Sequence, residues 1–274
     1  MRYEEIIKMW QKEDVKTGYD LERVLNNYGV NFAYHSGKIE NDNIDYNDTR
    51  EVFQNGRVSN YTGDLRTLFE IQNSKNAYQF MLKAFGDRQP IDENFVKKLQ
   101  RILTVGTYDE SRYLYGERPG SYKLHDYVTG RNEVGALPED VPIEMEELFE
   151  EIQNVEAKNV LTAAAYLHAK FENIHPFADG NGRTGRLLMN YFLLINNHPP
   201  IIIHEESRKD YYSALEKFDE FLDLAQLKEY LTQQLSLTWE KRLSRLPIRE
   251  KLKEAQNSRT SKFEKSKPSK EYIR

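Results

Sequence analysis

At residues 175–186 the sequence reads His175-Pro176-Phe177-Ala178-Asp179-Gly180-Asn181-Gly182-Arg183-Thr184-Gly185-Arg186. An apolar run from 187 to 195 follows at once and predicts a buried helix, because it is hydrophobic on nearly every side. The glycine-spaced turn before it can point several backbone N–H groups at one anion. The positive end of the helix dipole favours the same charge. This stretch therefore predicts an anion site at the start of a central helix.

The charged residues of the same stretch are typical of nucleotide chemistry. Arg183 and Arg186 are three residues apart, so they would be neighbours on the helix and could bind phosphate oxygens bidentately. Asp179 precedes the turn, where a carboxylate could hold Mg2+ against those phosphates or cap the helix. His175 would lie at the edge of the site, where a neutral imidazole could take a proton from a hydroxyl.

Composition limits the classes of partner. The 274 residues are 39% hydrophobic, which is enough for a substantial core. Lys and Arg number 39 against 44 Asp and Glu, and this net charge of −5 argues against nucleic-acid or anionic-membrane partners. With no cysteine, disulfides and thiolate metal sites are excluded. Because no run approaches the ~18 apolar residues of a membrane span and no apolar leader follows Met1, we expect a cytoplasmic protein.

Helical periodicity recurs along most of the chain. The predicted helices cover 3–28 with a break near Thr17-Gly18, 49–53 with Asp48 as cap, 64–85, 91–103, 143–153, 156–172, 187–195, 207–222 and 225–243. The segment 106–142 is rich in Gly, Tyr, Pro and Asp, and predicts an irregular loop with a β-hairpin of strands 121–128 and 132–137. We expect an all-α bundle with one small inserted hairpin. Residues 1–245 would form a single domain, and the Lys/Glu/Ser-rich residues 246–274 a charged helix or flexible tail.

Residues 175–186 resemble the signature loop of the Fic (filamentation induced by cAMP) family, HPFx(D/E)GNGRxxR, at all nine fixed positions. Weaker similarity extends over about residues 30–235. The resemblance implies a Fic-type helical fold whose short hairpin, called the flap, aligns a target segment beside the nucleotide. It also implies transfer of AMP from ATP, with Mg2+ or Mn2+, to a Tyr, Thr or Ser hydroxyl of a target protein.

The resemblance further implies roles for individual residues. His175 would be the catalytic base, Asp179 the metal ligand, and Asn181 a support for the α-phosphate. Residues implied to contact the nucleotide are Asp179, Gly180, Asn181, Gly182, Arg183, Thr184, Gly185 and Arg186 in the loop, Thr129, Gly130, Arg131 and Asn132 in the flap, and Tyr211 and Tyr212 beside the adenine. An aromatic ring at 211 or 212 could stack on the base.

A second segment resembles the inhibitory pattern of the family, (S/T)xxxE(G/N). It reads Ser36-Gly37-Lys38-Ile39-Glu40-Asn41, within an N-terminal helix expected at about 30–45. In relatives its glutamate pairs with the second arginine of the signature, which is Arg186 here. One guanidinium cannot bind a carboxylate and a phosphate bidentately at once. The resemblance therefore implies an enzyme that inhibits itself through Ser36, Glu40 and Asn41.

Alternatives remain within and outside this activity. Relatives with the same fold transfer UMP or phosphocholine, or remove AMP with the inhibitory glutamate positioning a water molecule. A catalytically idle nucleotide-binding regulator is a third reading. The partner expected is a protein substrate, including this chain itself, whose 18 tyrosines offer acceptors. A homo-oligomer is compatible with the sequence, whereas nucleic acid and membranes are not expected partners.

Overall fold

The structure is a computed structural model, and it describes residues 2–127, 135–242 and 244. Its helices are α1 (Arg2–Gln11), α2 (Gly18–Leu25), α3 (Tyr28–Glu40), α4 (Tyr46–Asn55), α5 (Leu65–Gly86), α6 (Glu93–Thr104), α7 (Glu110–Leu114), α8 (Val141–Glu151), α9 (Val160–Ile174), α10 (Asn181–Ile195) and α11 (Arg208–Phe221). Residues 225–242 are also helical. Short 3-10 turns, Ala157–Asn159 and Glu205–Ser207, precede α9 and α11. The predicted mainly helical fold is confirmed.

Helix α10 lies at the centre of this bundle. It packs against α3, α5, α6 and α9, and its Leu188, Met189 and Tyr191 are fully buried. The helix begins at Asn181 and includes Gly182 and Gly185, so Arg183 and Arg186 lie on it as expected, ahead of the apolar run 187–195. A Cβ on Gly185 would lie 3.0 Å from the Phe171 ring, so a glycine here lets α9 approach closely.

Helix starts follow the capping rules, with one correction. Asp64 accepts from Thr67 N at 2.8 Å, and Asp92 accepts from Phe95 N at 2.7 Å. The prediction that Asp48 caps a helix was wrong: Asp45 is the cap of α4, accepting from Asn47 N at 2.7 Å. Both aspartates have the side chain for a cap, and sequence spacing alone did not separate them.

The segment 106–142 departs most from the prediction. It contains the short helix α7, which the sequence analysis missed. Within residues 121–127 and 135–137 the backbone forms no strand, so the predicted hairpin is not found there. Lys123 N donates to Pro176 O at 2.9 Å and Ala136 N to Ile174 O at 3.0 Å, so both flanks bind the 174–176 corner instead of pairing with each other. The predicted flap contacts Thr129, Gly130, Arg131 and Asn132 lie outside the described residues.

The two ends of the described chain share one core. The Trp239 ring packs edge-on against Trp10 at 5.5 Å and stacks on Tyr28 at 6.3 Å. Among the described residues, no helix is long and apolar enough to cross a bilayer. The predicted tail, 246–274, lies outside the described part of the chain.

Candidate active site

The loop between α9 and α10 depends on two unusual backbone conformations. His175 ends α9 in the left-handed region, with φ 50°, and its N–H donates to Phe171 O at 3.0 Å. A non-glycine residue held there stores about 1–3 kcal/mol of strain, which is common at functional sites. Gly180 has φ 81°, and a Cβ on it would lie 2.5 Å from the Thr104 methyl group. Glycine is therefore required at 180 by both conformation and space.

Side chains from three elements fix this loop. The Asn181 amide accepts from Phe177 N at 3.0 Å and donates to Phe177 O at 2.8 Å. Gln100, on α6, donates to Asp179 O at 2.8 Å, and Arg112, on α7, donates to Ala178 O. What Asn181 offers to an anion is therefore its backbone N–H, because its side chain is bonded to the loop.

The start of α10 presents unpaired donors. Its first intrahelical hydrogen bond joins Thr184 N to Gly180 O, so the N–H groups of Asn181, Gly182 and Arg183 have no intrahelical partner. The Arg183 side chain is only 5% exposed, and its Nε and Nη1 make no hydrogen bond. Buried guanidinium nitrogens without a hydrogen-bond acceptor cost free energy, and a bound anion would supply the missing acceptors. This observation fits a phosphate at the start of the helix.

Asp179 lies on the same side of the turn. One carboxylate oxygen accepts from Arg66 at 3.3 Å and the other from Arg183 at 3.5 Å, both long contacts. Since Mg2+ takes one or two carboxylates together with phosphate oxygens, Asp179 suits a cation that arrives with a nucleotide. In the part of the chain that the structure describes, no group of three or more His, Asp or Glu is placed to hold a metal ion.

The second arginine of the loop is held mainly by α3. Arg186 is 1% exposed, and its Nη2 donates to Glu40 Oε1 at 2.8 Å and to Ser36 O at 2.8 Å. Its Nε donates to Ser36 Oγ at 2.9 Å. Desolvation works to raise the pKa of the Glu40 carboxyl, but Arg186 outweighs it and holds that pKa below its usual value. A Cβ on Gly182 would overlap Glu40 Oε1, so the carboxylate lies directly against the start of α10.

His175 is electrically neutral at physiological pH. Burial, and to a smaller extent the Lys123 ammonium, together lower the pKa of His175 to about 4. An imidazole in this state has a nitrogen lone pair available to accept a proton.

The two adjacent tyrosines occupy different environments. Tyr211 is 1% exposed; its ring stacks on His168 at 5.8 Å, and its hydroxyl lies 2.8 Å from His168 Nε2. Arg186 Nη1 donates to the same hydroxyl at 3.4 Å. Tyr212 is 37% exposed, with the Arg208 guanidinium 5.7 Å from its ring centre. Of the two rings, Tyr212 is therefore the one that is exposed to solvent, whereas Tyr211 is enclosed in the core.

Sequence reasoning missed the residues that support the loop from a distance. Gln100, Arg112 and Arg66 contact loop residues that lie 66 to 113 positions away along the chain. Glu70 was missed as well: it is a buried carboxylate on a helix that otherwise buries mostly apolar side chains, and this burial is visible only in the structure.

The fold and the loop together define a helical protein whose central helix begins at a glycine-containing turn with backbone N–H groups that have no intrahelical partner. Residues 90–193, which contain α6 to α9 and most of α10, match the family model described as Fic/DOC family. The chain therefore carries a domain of the Fic/DOC family.

Curated relatives are similar to this chain over part of their length. The protein adenylyltransferase Fic of Drosophila mojavensis is 44% identical over 97 residues, which are 34% of this chain and 19% of that protein. The protein adenylyltransferase fic-1 of Caenorhabditis elegans is 28% identical over 204 residues, 71% of this chain and 37% of that protein. The chain thus matches less than two fifths of the length of either relative.

Solved structures share the fold. Fic-1 from Caenorhabditis elegans superimposes with a TM-score of 0.72 at 20% identity, covering 88% of this chain and 71% of that one. A Fic domain containing signaling protein from Bacteroides thetaiotaomicron gives 0.69 at 24% identity, covering 87% and 95%. At these identities the likeness supports the helical architecture.

Proposed function

We propose that this chain is a self-inhibited protein adenylyltransferase, which transfers AMP from ATP to a Tyr, Thr or Ser hydroxyl of a protein substrate. The observation that carries the proposal is the neutral His175 on the same loop as the incompletely bonded, buried Arg183 at the start of α10. The names of the curated relatives support the same reaction class.

Each loop residue has a task in the proposed reaction. The N–H groups of Asn181, Gly182 and Arg183 bind the ATP phosphates, together with the guanidinium of Arg183. A divalent cation held by Asp179 would supply positive charge to the leaving pyrophosphate. Exposed Tyr212 is our candidate for stacking on the adenine.

In the proposed reaction His175 acts as the base. His175 takes the proton of the substrate hydroxyl, whose oxygen forms a bond to the α-phosphorus. The bond from that phosphorus to the pyrophosphate oxygen breaks, and pyrophosphate leaves with the electron pair. A positioned base contributes about 100- to 10,000-fold in rate, so orientation and charge stabilisation must supply the rest.

Inhibition follows from competition for one guanidinium. Glu40 and Ser36 together use Nε and Nη2 of Arg186, and either bidentate fork of a guanidinium includes Nη2, so a phosphate cannot bind Arg186 bidentately while these contacts persist. We therefore propose that ATP binds productively only after the Glu40 carboxylate has moved away from Arg186.

The proposal is tested by ATP labelled at the α-phosphate. The Glu40→Gly variant with Mg2+ should transfer label to itself or to an added protein substrate, and wild type should transfer much less. The Glu40→Gly/His175→Ala double variant should transfer none, and ATP labelled at the γ-phosphate should give no signal with any variant. Equal labelling by wild type and Glu40→Gly would reject the inhibition. Labelling from UTP but not from ATP would show that the enzyme transfers UMP and not AMP.

A second candidate activity rests on Glu40 itself. Its carboxylate is ionised and lies beside the start of α10, where it could position a water molecule against an AMP-modified hydroxyl. In this case wild type should remove AMP from a modified protein and Glu40→Gly should not. Mass spectrometry of the modified substrate before and after incubation separates the two activities.

A further inference from the structure

Glu70, on α5, is a buried carboxylate that the proposed reaction does not use. Its side chain is 6% exposed. Oε1 accepts from Arg66 Nε at 3.2 Å and lies 3.7 Å from Arg183 Nη1, while Oε2 accepts from Asn41 Nδ2 at 2.7 Å. A buried charge persists when its partners are fixed around it. Here those partners belong to both the nucleotide loop and the end of α3.

Asn41 is the residue that ties α3 to α5. It follows Glu40 directly, and its own N–H ends α3 by donating to Gly37 O at 2.9 Å. Its side-chain amide donates to Thr67 Oγ1 at 2.9 Å as well as to Glu70. The C-terminal end of α3, which places Glu40 against Arg186, is therefore bonded to the first two turns of α5.

Glu70 also belongs to a ring of alternating charges. Arg66 joins Glu70 to one oxygen of Asp179, and Arg183 lies between Glu70 and the other oxygen. Glu70 thus balances the charge of an arginine that a phosphate would otherwise neutralise. Removing this carboxylate would increase the positive potential at the start of α10.

We infer that Glu70 is a positioning residue of the inhibited state: through Asn41 it fixes the end of α3 that carries Glu40, and it balances Arg183 until a phosphate binds there. This inference rests on the inhibition proposed above. Loss of Glu70 should strengthen ATP binding in two ways. It loosens Glu40, and it leaves the positive charge of Arg183 available to an anion.

The first experiment measures the dissociation constant of ATP with Mg2+ for single variants. Asn41→Ala and Glu70→Ala should each tighten ATP binding about three- to tenfold, the range expected for losing one hydrogen bond of ordinary strength. Glu70→Gln keeps an acceptor for Asn41 and removes the charge, so it should tighten binding by less than Glu70→Ala. Asn43→Ala is the matched control, since Asn43 is exposed and only its backbone N–H bonds Asn41.

The second experiment repeats Asn41→Ala in the Glu40→Gly background. If Asn41 acts through Glu40, the added change should leave ATP affinity where Glu40→Gly puts it. An Asn41 that is merely structural would change ATP affinity by the same factor in both backgrounds. Hydrogen exchange of the amides at 39–41 gives a readout without nucleotide, and it should be faster in Asn41→Ala and Glu70→Ala than in wild type, because both variants remove the bond between Asn41 and Glu70.

The outcomes separate this inference from the proposed function. If Glu40→Gly binds ATP no more tightly than wild type, the inhibition itself is rejected. If Glu40→Gly binds more tightly while Asn41→Ala and Glu70→Ala leave ATP affinity and amide exchange unchanged, the positioning role of Glu70 alone is overturned.

Discussion

His175 combines a strained backbone with an altered proton affinity. Its left-handed conformation ends α9 and turns the chain into the loop, and its position among buried groups keeps the ring neutral. The same residue therefore sets both the shape of the loop and its proposed chemistry. Because this conformation is tolerated without a glycine, the surrounding hydrogen bonds must hold it.

Titration of the His175 ring tests this environment. Nuclear magnetic resonance of the labelled histidines, assigned with His175→Ala, should give His175 a pKa of about 4, well below the ordinary 6.5. Lys123→Met should raise that pKa, since the ammonium disfavours a second positive charge. A His175 pKa near 6.5 in wild type would contradict the burial that we describe.

The sequence predicted the residues of the loop but not its supports. The resemblance of two short segments to family motifs supplied the nine signature positions and implied the pairing of Glu40 with Arg186. Gln100, Arg112 and Glu70 hold the site through contacts between distant parts of the chain, and no spacing rule reveals such contacts. Asn181 was expected to support the α-phosphate, and because its side-chain amide is bonded to the Phe177 backbone, its backbone N–H is the group left for that role.

At the scale of elements, α9 presents two titratable side chains, His168 and Glu172, to Gly185 of α10. Glu172 Oε1 is buried without a hydrogen bond and lies 3.9 Å from His168 Nδ1, which also has none. Burial raises the pKa of Glu172 to about 8, and burial lowers the pKa of His168 to about 3. Both groups are therefore neutral at pH 7, which reduces the cost of leaving them in the core.

Glu172 should make stability fall as pH rises. Between its ordinary pKa of 4.5 and about 8 the folded state keeps a proton that the unfolded state releases, so the free energy of unfolding decreases with pH across this window. Glu172→Gln should flatten this decrease, because an amide does not titrate. Urea unfolding of both proteins at pH 5.5 and pH 8 measures the difference. A steeper decline in the variant would contradict this account.

Boundaries of elements were predictable where a cap was unique. The predicted helices 64–85 and 91–103 begin within two residues of α5 and α6, which Asp64 and Asp92 cap, whereas the choice of Asp48 as a cap misplaced the start of α4. The expected hairpin failed in residues 121–127 and 135–137 because backbone bonds to Pro176 and Ile174 take the place of strand pairing. Alternation of residue types in that segment did not carry information about those distant partners.

At the scale of the whole molecule, helices outside the matched 90–193 region complete the core. Helices α3 and α5 cover α10, and residues 225–242 bring Trp239 against Trp10 and Tyr28. Trp239 Nε1 also donates to Pro200 O at 2.8 Å. The domain of the family is thus held together by the parts of the chain on both sides of it.

Trp239→Ala should lower the free energy of unfolding by about 3–5 kcal/mol, because it removes a large buried ring and its hydrogen bond. Trp239→Phe keeps much of the ring contact and should cost less. Chemical unfolding followed by circular dichroism measures both. If Trp239→Ala were as stable as wild type, the ends of the chain would not share a core.

Competition between Glu40 and ATP for Arg186 is the central claim, and calorimetric titration of ATP with Mg2+ tests it most directly. Glu40→Gly should bind ATP at least about tenfold more tightly than wild type, a difference of about 1.4 kcal/mol, and Arg186→Ala in that background should abolish the gain. Equal affinity of wild type and Glu40→Gly for ATP, or no binding by either, would contradict the account.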